Sequence, residues 1–283
     1  MKKLVIVTIL TISMNLTGCG AKVDNDKINN NKEVKNEAVQ TTPAENEVDY
    51  SDSFNGINGC AVFFNPEENT YNIYNKELID KQISPYSTFK IINSLMGLSQ
   101  NIVTSADSKL GYNGEVYWKK EWNKDITFEE AFKESCVWYY EKIMDSLDKE
   151  YVQKTLNDLN YGNSDIGAWN EDGHNTYWIS SSLKISPIEQ VKVLETIFEG
   201  KSSFEAKDVN LVKNFMLVEN DENYSVYGKT GSAKDTNSWF TGFIEKNDKK
   251  TYFTVRINDE SQKLAGSVAK NIALNIIKQN YNI

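Results

Sequence analysis

From about residue 56 onwards, short apolar runs alternate with polar, turn-forming ones, and the runs differ in period. Cys60-Ala-Val-Phe-Phe64 and Thr70-Tyr-Asn-Ile-Tyr74, on either side of Asn65-Pro66-Glu67-Glu68-Asn69, predict two strands around a turn. Ser84 and Pro85 predict a helix start, Ser84 as N-cap and Pro85 as first helical residue, where proline's missing N–H costs nothing. Scattered aromatics and glycines from Gly111 to Asp125 predict a loop. Thr127 and Glu130 have the spacing of a capping box, so a helix is expected through Phe132 towards Ser135. Between Ser135 and Tyr140 the apolar residues are too dense for a surface helix, and Met144 and Leu147 continue their stripe.

Further helices are expected over Tyr151–Leu159, Pro187–Phe198 (capped by Ser186), Val209–Met216 and Val268–Ile277, with a turn at Tyr161-Gly162-Asn163. Val226–Ser232 reads as a strand, and Trp239–Ile244 with Thr251–Ile257 as a hairpin around Glu245–Lys250. Strands at both ends with helices between predict one sheet, built from distant parts of a single domain, with a helical insertion.

The N-terminus follows a different pattern. Lys2-Lys3 precedes an apolar run from Leu4 to about Leu16, shorter than the ~20 residues a membrane-spanning helix needs. Residues 1–18 therefore read as a secretory signal peptide. Leu16-Thr17-Gly18-Cys19 resembles the bacterial lipobox, which makes Cys19 the lipidation site and the mature N-terminus. Residues 19–50 are polar and nearly free of aromatics, the composition of a flexible tether, which leaves 51–283 as the folded domain. The chain is expected to be exported, either lipid-anchored on the outer face of the cell membrane or secreted, with no other membrane contact.

Charge and composition narrow the function. The net charge of −9 argues against nucleic acid and anionic membrane surfaces as partners. Of the 31 Lys and Arg residues, only Arg256 is arginine. With one histidine, His174, in a polar loop-like run, most zinc hydrolase sites and Ser-His-Asp schemes lose their base. A nucleophile here needs a lysine or carboxylate instead. Beyond Cys19, two cysteines remain, Cys60 and Cys136, and the sequence leaves open a disulfide or two buried thiols.

Ser87 and Lys90 stand one helical turn apart, a hydroxyl beside a possible base. Ser-x-x-Lys also occurs as Ser181…Lys184 and Ser267…Lys270, so the spacing alone selects nothing. Order does. Ser87-Thr-Phe-Lys90, Ser135-Cys136-Val137 and Lys229-Thr230-Gly231 appear in sequence, and the set resembles the penicillin-recognising serine acyltransferases. Ser-x-Val in the middle resembles the class D, oxacillinase-type β-lactamases. Trp122-Asn-Lys-Asp125, Ser135–Tyr140, Tyr161-Gly162-Asn163 and Trp178 followed by Leu183-Lys-Ile-Ser-Pro187 resemble the same family, over roughly Gly56 to Ile277.

The resemblance implies an α/β fold of the β-lactamase/transpeptidase type, with a central, mainly antiparallel sheet flanked by helices and a helical subdomain. It implies hydrolysis of β-lactam antibiotics through an acyl-enzyme on Ser87. It also implies a carbamate on Lys90, made from carbon dioxide or bicarbonate, as general base, with no metal and no other cofactor. Only an uncharged amine reacts with carbon dioxide, and burial can depress a lysine pKa by up to ~3–5 units. Phe89, Val137 and Trp178 would make that pocket dry. The Trp178 indole N–H would hold a carbamate oxygen, with Trp169 the competing candidate.

Ser135 would relay a proton to the lactam nitrogen. Lys229, Thr230 and Gly231 would line the cleft and read the substrate carboxylate, and the backbone N–H groups of Ser87 and Ser232 would form the oxyanion hole. The arginine that grips the substrate carboxylate in many class D enzymes has no counterpart in Lys263–Val268, which leaves Arg256, Lys263 or Lys229 to supply the charge. The alternatives are a β-lactam sensor that stays acylated and a non-catalytic cell-wall-binding lipoprotein. Substrate spectrum and oligomeric state are not legible.

Overall fold

The computed structural model describes residues 42–171, 173–233, 236–259 and 265–281. The expected signal peptide, Cys19 and Lys263 lie outside the described residues.

Among the described residues seven strands form one sheet, in the order β1-β3-β2-β7-β6-β5-β4. They are β1 (Ala44–Glu47), β2 (Gly59–Asn65), β3 (Thr70–Tyr74), β4 (Leu217–Asn220), β5 (Ser225–Ser232), β6 (Asn237–Lys246) and β7 (Lys249–Asn258). Only the β1–β3 pair is parallel. The helices are α1 (Ser51–Phe54), α2 (Lys90–Ser99), α3 (Phe128–Lys133), α4 (Val137–Asp145), α5 (Lys149–Asp158), α6 (Pro187–Phe198), α7 (Ala206–Phe215) and α8 (Gly266–Asn280).

The sheet is covered on both faces, which is why β2 reads as an unbroken apolar run. Cys60, Val62 and Phe64 face the larger core, shared with α2, α3, α4, α5 and α6. Ala61 and Phe63 face the smaller one, shared with α1 and α8. The expected capping box of Thr127 with Glu130 forms, and the expected Ser186 cap proves to be a second box, with Glu189, and has Pro187 at the first helical position. Each N-cap contributes about 1 kcal/mol. The β6–β7 connection is tighter than expected. Asn247 and Asp248, at φ +52° and +62°, close it in two residues, as residues that tolerate the left-handed region can.

Two expectations need correction. The stretch read as tether is ordered from residue 44: Ala44 N–H donates to Asn69 O (2.9 Å), Val48 N–H donates to Ile73 O (2.8 Å), and Tyr50 is buried against Phe63. The side chains of β1 are all exposed, so no apolar pattern announces it; backbone pairing with β3 holds it, with surface contacts from Asn46 to Asn72 Oδ1 (3.4 Å) and from Glu45 to Lys76 (2.7 Å). Second, the helix does not begin at Pro85. Tyr86 sits at φ +49°, Tyr86–Phe89 form a 3-10 turn, and α2 proper starts at Lys90. Of the two arrangements left open for Cys60 and Cys136, the structure has two buried free thiols.

Candidate active site

The turn that carries Ser87 is fixed from four sides. Tyr86 N–H donates to Trp178 O (3.2 Å), and the Trp239 indole N–H donates to Ser84 O (3.2 Å). Thr88 Oγ1 donates to Pro85 O (2.7 Å) and accepts from Gln190 Nε2 (2.8 Å) inside α6. Strand β5 closes the fourth side. A Cβ on Gly231 would stand 2.8 Å from Pro85 O and 3.0 Å from Thr88 N, so only glycine lets the strand come this close. Tyr86 and Ser135, both beside the chemistry, hold positive φ (+49° and +53°), strain that the surrounding bonds keep in place.

Lys90 is fully buried, and its Nζ lies 3.3 Å from Ser87 Oγ. Its nearest large neighbours are aromatic faces: the Nζ lies 4.2 Å from the Trp178 ring centroid and 5.0 Å from that of Tyr140. Burial first, and the Lys229 charge second, push its pKa well below that of a free lysine. Phe89, wholly buried, packs between Tyr161, Tyr177 and Trp178 beneath it. Val137, half-buried at the head of α4, lines the cleft above.

The second lysine closes the constellation. Lys229 Nζ donates to Ser135 Oγ (2.5 Å) and to Thr230 O (3.0 Å). It is 4% exposed, and burial, with Lys119 adding, brings its pKa down to about 7. Ser87, Ser135, Val137, Thr230, Gly231 and Ser232 all line one cleft of about 700 Å³, walled on the other side by Tyr117, Trp118, Trp122 and Trp138. A volume of this order suits a small organic ligand. Among the described residues no group of three His, Cys, Asp or Glu side chains is placed to hold a metal ion.

Two expected contacts are not made. The Trp178 indole N–H does not face Lys90; it donates to Asn175 O (3.2 Å) and presents the ring face to the amine. Trp169 stacks on Tyr177 instead of reaching the lysine. Arg256 is also committed. Paired with Cys60 and Trp239 in the sheet, it is 1% exposed and donates to Lys81 O (2.7 Å) and Leu78 O (3.2 Å). It braces the loop before Ser87 and does not face the cleft.

Sequence reasoning missed Gln190, Asn175 and Asp145. Asn175 is buried, donates to Asp145 Oδ1 (2.9 Å) and accepts from Asn170 N (2.7 Å), which pins the Trp178 segment to α4. The turn expected at Tyr161-Gly162-Asn163 forms. Gly162 has φ +51°, a Cβ there would fall 2.0 Å from Lys184 O, and the Asn163 side chain accepts from Lys184 N.

Residues 28–278 match the model described as the penicillin binding protein transpeptidase domain. The regulatory protein BlaR1 of Staphylococcus aureus is 34% identical over 82% of this chain, which spans 39% of that longer protein. A probable β-lactamase of Bacillus subtilis, YbxI, is 31% identical over 81% of this chain and 83% of its own length. Among solved structures, a class D β-lactamase from Bacillus subtilis superposes with a TM-score of 0.77 at 30% identity, covering 83% of this chain and 97% of that one.

Proposed function

Because the chain belongs to the penicillin-binding transpeptidase domain family, and is homologous to class D β-lactamases, we propose that it hydrolyses β-lactam antibiotics through an acyl-enzyme on Ser87. The observation that carries this reading is Lys90: a buried amine 3.3 Å from the Ser87 hydroxyl, its pKa pushed down by burial, with no carboxylate among the described residues bonded to it.

The lactam carbonyl enters the cleft beside Ser87. Lys90 takes the Ser87 proton as Oγ bonds to the carbonyl carbon. The backbone N–H groups of Ser87 and Ser232 receive the developing oxyanion. As the C–N bond breaks, Ser135 passes a proton to the lactam nitrogen and recovers one from Lys229 through their 2.5 Å contact. Lys229, while protonated, and Thr230 hold the substrate carboxylate; with Arg256 turned into the fold, no arginine among the described residues does so.

The apolar, aromatic walls around Lys90 suit the uncharged amine that carboxylation needs. A carbamate there would supply the base for the water that cleaves the ester; Ser87 Oγ–H could hold it before acylation, and a reoriented Trp178 N–H is the donor that remains once Ser87 is acylated. The proposal extends to placement: an exported protein, tethered to the outer face of the membrane by lipid on Cys19 or secreted.

A second reading has its own observation. The Trp178 N–H is engaged by Asn175 O, and Lys90 faces only the flat of the ring. That arrangement favours a lysine that stays unmodified, as in a penicillin-binding sensor that acylates without turnover, and BlaR1 is among the relatives. The test is turnover of benzylpenicillin by the purified protein. Hydrolysis of many equivalents, stimulated by bicarbonate and lost in Lys90→Ala, is the expected result. One stoichiometric burst would select the sensor, and no acylation would exclude both.

A further inference from the structure

The cleft wall opposite β5 contains a charge that the chemistry above does not use. Glu141 lies on α4 one turn beyond Val137, lines the same cleft as Ser87, and is half-buried. Among the described residues its carboxylate makes no hydrogen bond and no ion pair. Burial pushes its pKa up, and Asp145 and Glu115 push the same way, against His174 and Lys90. The other charges lining the cleft are accounted for. Lys119 pairs with Glu134 at 2.8 Å, Glu115 lies against the Tyr117 hydroxyl, and His174 stands exposed at the rim. A half-buried carboxylate without a partner is costly to leave so, and a ligand cation that reached it would offset that cost.

Beside it the wall is aromatic. Trp118 is 85% exposed on the rim, edge-on to the Trp122 ring at 5.5 Å, with Tyr117 next to it. The uncharged residues of β5, Thr230 to Ser232, form the facing wall. A substrate whose ring carbonyl lies at Ser87 and whose carboxylate lies at Lys229 and Thr230 directs its acyl side chain to the wall that remains. We propose that Glu141 selects β-lactams whose acyl side chain carries an ammonium group, with Trp118 packing on the aromatic part of that side chain, and rejects those carrying a second carboxylate. This rests on the reading of the cleft as a β-lactam acylation site, whether or not the acyl-enzyme turns over.

Three penicillins that differ at one carbon of the acyl side chain test it: ampicillin (ammonium), benzylpenicillin (neutral) and carbenicillin (carboxylate). Second-order acylation rates are measured on the full chain by competition with a fluorescent penicillin. Acylation needs no deacylation, so hydrolase and sensor are read alike. Desolvated like charges oppose binding strongly, so the wild-type protein should prefer ampicillin to carbenicillin by about 10- to 100-fold. In Glu141→Gln the ratio should fall to within about threefold of one, the remaining difference being ordinary for exposed charges. Both rates come from one preparation, so the ratio does not depend on the fraction folded. An equal ratio in the two proteins, or a wild-type ratio near one, overturns the assignment to Glu141 while leaving the acylation site intact. Acylation by none of the three overturns the reading of the cleft and this inference together.

Discussion

Replacing Lys229 by Met should change how stability depends on pH, in a direction set by burial. Lys229 is 4% exposed and its pKa stands at about 7 against the ordinary lysine value of 10.5. Between those two values the unfolded chain holds a proton at residue 229 that the folded chain has lost. Stability therefore rises with pH across that window, by about 1.4 kcal/mol per pH unit. The accumulated effect is on the order of 4–5 kcal/mol, and the destabilisation is fully present below pH ~7. Lys90, also depressed by burial, acts in the same direction.

Above pH ~10 the trend reverses. The buried hydroxyls of Tyr140, Tyr161 and Tyr177 keep their protons in the fold, whereas free tyrosines ionise near 10. Lys229→Met keeps a four-atom stem over the Phe132 ring and removes the titration. Losing the donor to Ser135 is a cost independent of pH. Urea unfolding, followed by tryptophan fluorescence from pH 6 to 10, gives the stability difference between variant and wild type. The difference should favour the variant most below pH 7 and shrink by about 4 kcal/mol by pH 10. A flat difference would show that Lys229 keeps its proton in the fold, and the proton relay through Ser135 would lose its basis.

Two further substitutions test the walls. In Gly231→Ala the new Cβ would meet Pro85 O at 2.8 Å and Thr88 N at 3.0 Å, forcing β5 away from the Ser87 turn. Acylation should fall at least about tenfold and stability by about 1–3 kcal/mol, read from acylation rates and urea midpoints. Val137→Asn puts an amide at the head of α4, whose Tyr140 ring lies over Lys90. A polar wall favours the charged lysine, so deacylation should slow by about tenfold more than acylation, seen as a larger burst before steady state.

What the sequence made legible was what local chemistry dictates. Thr127 with Glu130, and Ser186 with Pro187 and Glu189, each close a helix end through side chains within four residues of one another. The Ser87, Ser135 and Lys229 motifs converge on one cleft, each on or beside an element whose period was readable. What was hidden depends on partners far along the chain. Strand β1 turns no apolar side chain inward and exists because β3 offers it backbone groups. Gln190 acts through Thr88, 102 positions away. Arg256 looked available as a lone cation, but β-sheet register put it opposite Cys60, on the face under the Ser87 loop, where two carbonyls took it.

The same dependence on distant partners bears on the proposed choice between turnover and arrest. Lys90 itself is common to both readings: a buried amine beside a serine can accept that serine's proton either way. What differs is the face that Trp178 presents. Turned as it is, with its N–H on Asn175 O, the indole offers Lys90 its electron-rich face, which suits a cation or a neutral amine and repels an anion. Presenting the N–H to Lys90 instead requires releasing the Asn175 carbonyl, and Asn175 is held by Asp145 on α4 and by the Asn170 amide. The clamp therefore sets the cost of the rotation, about 1 kcal/mol for each neutral hydrogen bond given up. That is small against the gain from a charge-assisted bond to a carbamate, so the closed clamp does not preclude turnover. If the indole does swing, Asn175→Ala, which loosens the clamp, should lower the bicarbonate concentration at which hydrolysis reaches half its maximum. A bicarbonate response identical to wild type would mean that Trp178 takes no part in holding the base.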